Sequence, residues 1–183
     1  MSHRLIKNGK TGEIVNPIRN NIASFIETER KRLGLNPYQM WLRLRGDDEG
    51  FARATYLDTV NGVNNITLRT LESLADKLET SMADLFGVKD IEPIMRTYKT
   101  DELHKRLADF VEQERLARKM LRKEIAAKME VSYVTYLRIM NLSGNMAVDT
   151  LAGIAKSLRA DPVTFLFEDH KQGSVPAWGE MTL

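Results

Sequence analysis

The sequence predicts an all-α protein made of two tandem five-helix units, with a short β-hairpin arm in front of them. Three observations predict it. Apolar residues recur at helical spacing along most of the chain. The stretch FIETER at 25–30 returns as FVEQER at 110–115, with four of six residues identical. Further on, a second series of matches runs at an offset of 80 instead of 85: Thr55-Tyr56-Leu57 with Thr135-Tyr136-Leu137, Asn61 with Asn141, Asn65 with Asn145, Leu78 with Leu158. A chain of 183 residues holds two small domains, and self-similarity at a fixed period marks a duplication.

Residues 1–21 read as the arm, LIK and EIV flanking the turn residues NGKTG. Gly9-Lys10-Thr11 lacks the upstream glycine of a phosphate loop, because Arg4 stands there. The first unit covers 22–87. Its first helix starts at Ile22, with Ile22, Phe25, Ile26 and Leu33 on one face, and Gly34 ends it. Asn36-Pro37 is an N-cap followed by a first-turn proline, opening a helix to about 44. After the loop RGDDEG comes a third helix, FARATYLDTV, and the turn NGVNN. The fourth helix carries Leu68, Leu71, Leu74, Ala75 and Leu78 at core spacing, and Ser81 with Asp84 makes a capping box for a short fifth.

Residues 88–102 read as a linker, and the second unit, 103–169, repeats the order. Leu107, Phe110 and Val111 face inward from its first helix, and the second helix runs over 122–129. Ser132 caps the third, YVTYLRIM. The fourth uses Val148, Leu151, Ile154, Ala155 and Leu158, and Asp161-Pro162 opens the fifth through Phe167. The tail, 170–183, with Trp178, has no periodicity. The slip in offset gives unit one five extra residues between its second and third helices, where Asp47, Asp48 and Glu49 stand.

Composition narrows the function. The chain has no cysteine, which excludes disulfides and thiolate metal sites and suits a reducing cytoplasm. Its start has no apolar leader and no run approaches a membrane span, so a cytoplasmic, nucleoid-associated protein is expected. His3, His104 and His170 are scattered, without metal-ligand partners at helical spacing, and no paired acids stand out for acid–base work. Neither enzymatic activity nor a cofactor is expected. The net charge of +2 announces no partner, but positive residues gather in Arg30-Lys31-Arg32 and in Arg115, Arg118, Lys119, Arg122 and Lys123, with no acid inside the second set.

In unit two only Glu130-Val131-Ser132 separates the second and third helices. A short helix, a tight turn and a second helix followed by a polar loop make a helix-turn-helix. The turn fixes the angle at which the second helix enters a major groove while the first lies across the backbone. On these residues the segment KEIAAKMEVSYVTYLRIMNLSGNMAVDTLAGIAKSL, at 123–158, resembles the Cro and phage lambda repressor family of DNA-binding domains. NGVNNITLRTLESLADKL, at 61–78, is similar to the segment that follows the family's recognition helix. The resemblance covers about 22–87 and 103–167, and implies two lambda-repressor-like domains.

It also implies roles. Arg122 takes the place of a glutamine that touches phosphate or base, while Ser132, Tyr133, Val134 and Thr135 begin the recognition helix, with Arg138 one turn on. Arg138 has the fork to hold guanine O6 and N7, and Thr135 offers a hydroxyl or a methyl. Ser132 is more often simply the helix cap, and Tyr133 serves equally as a plain surface aromatic. Lys119 and Lys123 belong with phosphate contacts. Asn141 and Asn145 match the family's phosphate-touching loop, though asparagine also suits turns. Tyr136 and Ile139 match inward positions. Leu121 departs from the usual Ser or Thr cap, and Leu142 from the glycine after the recognition helix. In unit one, Arg53, Ala54, Thr55 and Leu57 begin the corresponding surface, and Asn61, Gly62 and Asn64 keep the loop. The acids of the insertion repel phosphate unless they cap or pair locally, and Trp41, where the family prefers a small residue, demands altered packing.

The expectation is a sequence-specific regulator of transcription, a repressor of phage or mobile-element type, binding double-stranded operator DNA through two helix-turn-helix domains. Relatives dimerise across two half-sites, so a homodimer and a covalent pseudo-dimer are both open. The alternative is an adaptor such as an antitoxin or anti-repressor, in which unit one grips a protein partner. The repeated hexamer reads as scaffold, its Phe and Ile/Val inward and its Glu-Arg ending at the surface. The arm and the Trp178 tail are open between contacts with a neighbour and simple local packing.

Overall fold

The first helix begins earlier than its apolar spacing indicates. In the computed structural model, which describes residues 16–46, 51–89 and 92–168, α1 spans Pro17–Arg32. Asn16 caps it by accepting the Ile18 amide at 3.0 Å, and Pro17 sits at the first helical position, where no amide is missed. The end of the expected arm is therefore helix, and the hairpin expected before it lies outside the described residues. Gly34, at φ +66°, turns the chain out of α1.

α2 is Pro37–Arg45, opened by the expected cap: Asn36 accepts from Gln39 N–H, and the Gln39 side chain accepts from Asn36 N–H, both at 2.9 Å. α3 is Arg53–Val60, two residues shorter at its start than expected. Phe51 stays outside it and is buried in the core. α4 spans Leu68–Lys77 and buries the predicted leucines; α5 spans Met82–Phe86, with the Ser81–Asp84 box in place. Gly87 ends α5 at φ +82°, and a Cβ there would stand 2.7 Å from the Asn21 amide, which itself donates to Phe86 O.

Unit two follows as α6 Thr100–Ala117, α7 Arg122–Lys128, α8 Tyr133–Met140, α9 Val148–Leu158 and α10 Pro162–Phe167. α6 starts three residues before the expected 103, which shortens the linker. What remains of the linker is docked on unit one. A 3-10 turn over Pro93–Thr97 buries Met95, Arg96 pairs with Asp84 at 2.5 Å, Lys99 pairs with Asp76, and Thr100 N–H donates to Glu72 at 2.9 Å. No strand occurs among the described residues. The fold is all-α.

The Glu-Arg endings of the repeated hexamer are more than surface. Arg30 clasps Glu27 and donates to Leu35 O at 2.6 Å; Arg115 clasps Glu112 and donates to Met120 O at 2.9 Å. Both guanidinium groups are largely covered, and each ties the end of a long helix to the loop that launches the next.

The two units pack on one another through a seam that obeys their own repeat. Thr67 bridges Ala147 in antiparallel fashion, and these positions correspond at the offset of 80. Leu68 N–H donates to Met146 O at 2.8 Å, and Val148 N–H donates to Ile66 O at 2.9 Å, each bond the image of the other. The Asn145 side chain accepts from Arg69 N–H at 3.3 Å, and Asn65, its counterpart, accepts from Asp149 N–H at 3.1 Å. A segment that pairs antiparallel with its own copy makes the self-complementary contact of two-fold-related subunits. α1 meets α9 and α6 meets α4, again as images. Phe86 and Phe167 meet edge to face, 5.4 Å between centroids, and the buried residues of both units form one continuous core.

Candidate nucleic-acid interface

α7 and α8 are joined by four residues, Met129 to Ser132. Met129 is buried, Glu130 takes the left-handed conformation at φ +58°, and Val131 N–H reaches back to Ala126 O at 3.2 Å. This is the tight closure of a helix end that also aims the next helix. Ser132 Oγ then accepts from Thr135 N–H at 3.0 Å, so Ser132 is the cap of α8, and its hydroxyl lies 2.9 Å from that of Thr135. Tyr136 and Ile139 turn inward, 1% and 4% exposed, as the family resemblance implies.

That leaves an outer face. Val134 is 59% exposed, Tyr133 is 38% exposed and stacks on Tyr136 with the rings 15° apart, and Arg138 is exposed with no ion-pair partner among the described residues. Thr135 is half-buried. Asn141 ends α8 and is exposed. Asn145 is committed elsewhere: its amide also donates to Thr67 Oγ1 at 2.9 Å, so both ends of the group serve the seam, where a phosphate contact was expected.

The basic set beside α7 is thinned by acids one turn back on α6. Arg115 is taken by Glu112, and Arg118 by Glu114 at 2.5 Å, with a further bond to Leu158 O. Lys119, Arg122 and Lys123 remain, exposed and without ion pairs among the described residues. Arg122 lies close enough that its charge is felt by the Glu112 carboxyl and the Tyr136 phenol. Leu121 makes no side-chain cap; Glu124 instead accepts its N–H at 2.6 Å, which is half of a capping box. Lys119 and Leu142 sit at φ +53° and +51°, the left-handed positions that unit one fills with Gly34 and Gly62. In unit one Arg30, Lys31 and Arg32 are likewise paired, with Glu27 and Glu29.

Unit one builds the same corner differently. Residues 46–52 separate α2 from α3, and the acids Asp47, Asp48 and Glu49 lie outside the described residues. The Trp41 indole N–H donates to the backbone oxygen of Phe51, just before α3, at 3.0 Å, which gives this large side chain a partner at the corner. Arg53 is exposed and lies over the Tyr38 ring, 5.8 Å from its centroid. Ala54 is exposed, Thr55 half-buried with its carbonyl accepting from Thr59, and Asn61 exposed at the end of α3. Asn64 is turned inward to Thr59 Oγ1 at 3.1 Å. Where α8 has Arg138, α3 has Asp58, exposed and without an ion pair among the described residues.

Sequence reasoning passed over Asp58 and the seam residues Asn16, Arg19, Thr67 and Asp149. Asn16 and Arg19 both hold the Asp149 carboxylate across the seam. The repeat alignment carried the signal for Asp58, since it sets Asp58 opposite Arg138. For the seam the signal was slight: Asn65 and Asn145 are both retained, but asparagine in a turn has a local explanation. Comparison of the chain with known protein families, with curated proteins and with solved structures finds no match.

Proposed function

We propose that the protein is a sequence-specific, double-stranded DNA-binding regulator of transcription, a repressor, whose α7–α8 pair is a helix-turn-helix. The observation that carries this reading is the outer face of α8. Tyr133 and Val134 at its capped start and Arg138 in its last turn are exposed, and beside them stand three exposed cations, Lys119, Arg122 and Lys123, without ion pairs among the described residues. A helix with an exposed, mixed polar and apolar face suits a major groove, where Arg138 forks onto a guanine and Val134 meets a thymine methyl. The cations at the start of α7 belong on the phosphates beside that groove.

A second reading rests on unit one, where Tyr38, Leu42 and Leu57 are exposed, 50%, 41% and 41%. Apolar groups on this corner fit a protein partner, as in an adaptor or anti-repressor. Salt separates the two. Phosphate binding releases counterions, so affinity for duplex DNA falls linearly on a log–log plot against salt, by about 0.9 per phosphate neutralised. Titration of a labelled duplex in a salt series is expected to show this fall; absence of duplex binding at low salt overturns the DNA reading.

A further inference from the structure

From the image-related seam and the unlike faces of α3 and α8, we infer that one chain recognises an asymmetric DNA site, two different half-sites in inverted orientation. The inference rests on the DNA-binding reading above. Two tethered domains can meet DNA as direct or as inverted repeats, and a loose linker allows both. Here the choice is made by the fold. The bridge between Thr67 and Ala147 pairs the segments after α3 and α8 antiparallel, so the second reading helix is the first turned by half a rotation. A duplex lying against both meets them head to head, and half-sites read by such a pair are inverted.

The seam also limits their separation. Six residues lie between Val60 and Thr67 and six between Met140 and Ala147. A chain of that length reaches at most about 25 Å. Both reading helices therefore end within that distance of the dyad, which accommodates the spacing of about 34 Å between successive major grooves on one face of a duplex.

The halves differ because the helices do. Val134 faces Ala54 in the alignment, Tyr133 faces Arg53, and Arg138 faces Asp58. Arginine donates to guanine O6 and N7; a carboxylate accepts from cytosine N4. At the position where a palindrome repeats guanine on the opposite strand, this site carries cytosine. A homodimer of identical domains has no means of making that distinction.

Selection of bound duplexes from a random pool, with the full chain and with Asp58→Asn in parallel, tests the inference. The expected motif has two unlike halves, inverted and about one helical turn apart. Asp58→Asn, an exposed isosteric change, is expected to shift one half from cytosine toward adenine and to weaken binding to the original motif about tenfold. A palindrome, a direct repeat, a single half-site, or a motif unmoved by Asp58→Asn overturns the inference while DNA binding stands. No enrichment of any sequence overturns both.

Discussion

His104 shows how a single residue ties the seam to pH. It lies on α6, 5% exposed, and its Nε2 has no hydrogen-bond partner among the described residues. Burial pushes its pKa below the ordinary 6.5; Asp101 opposes this and Arg69, from the other unit, adds to it. The folded imidazole is thus neutral where the unfolded one already begins to take up a proton. Its contribution to stability is complete above about 6.5 and is lost as pH falls through the lower folded value. Glu27 and Glu112, held below their ordinary 4.5 by hydrogen bonds from Arg30 and Arg115, lose their contribution only further down. Denaturant unfolding at about pH 7.5 and about pH 5.5 is expected to show the wild type weakening on acidification and His104→Leu weakening less. Equal loss in both places the sensitivity elsewhere.

Helices are the level at which the sequence was most legible, because caps and apolar spacing are local. The box at Ser81 and the caps at Asn36, Ser132 and Asp161 all stand where residue type and spacing put them. Asn16-Pro17 carries the same signature, yet the apolar series around it is thin, and apolar spacing alone starts α1 five residues late, at Ile22. The basic set misled for a different reason. Counting charges from 115 onward hid Glu112 and Glu114, three and four residues back, where a helix sets a partner beside each arginine. The pairing now separates two neighbours. Lys119→Ala is expected to lower the slope of log affinity against log salt by about 1, and Arg118→Ala to lower it less, its charge already being held by Glu114. Equal effects would mean that the Arg118–Glu114 pair opens on DNA.

At the scale of the whole molecule, the sequence offered two units and a linker, and the fold makes one body with a shared core. Nothing local announces that join. The polar part of the seam is built from backbone amides, Asn16, Asn65, Asn145, Thr67 and the Arg19–Asp149 pair, and the asparagines and threonine have local explanations in caps and turns. The two units, expected as domains joined by a linker, stand in a fixed arrangement in which the outer faces of α3 and α8 are set relative to one another. On the proposed function, base discrimination falls to α8 and α3 together and phosphate contacts fall to residues such as Lys119 and Arg122. The proposed function stands or falls on whether α8 reads bases. It is tested most directly by the ratio of affinities for the selected duplex and a scrambled duplex, measured for the wild type and for Arg138→Ala. The ratio is expected to fall by a factor equivalent to about 1–3 kcal/mol in Arg138→Ala, with affinity for the scrambled duplex little changed. An unchanged ratio would contradict the claim.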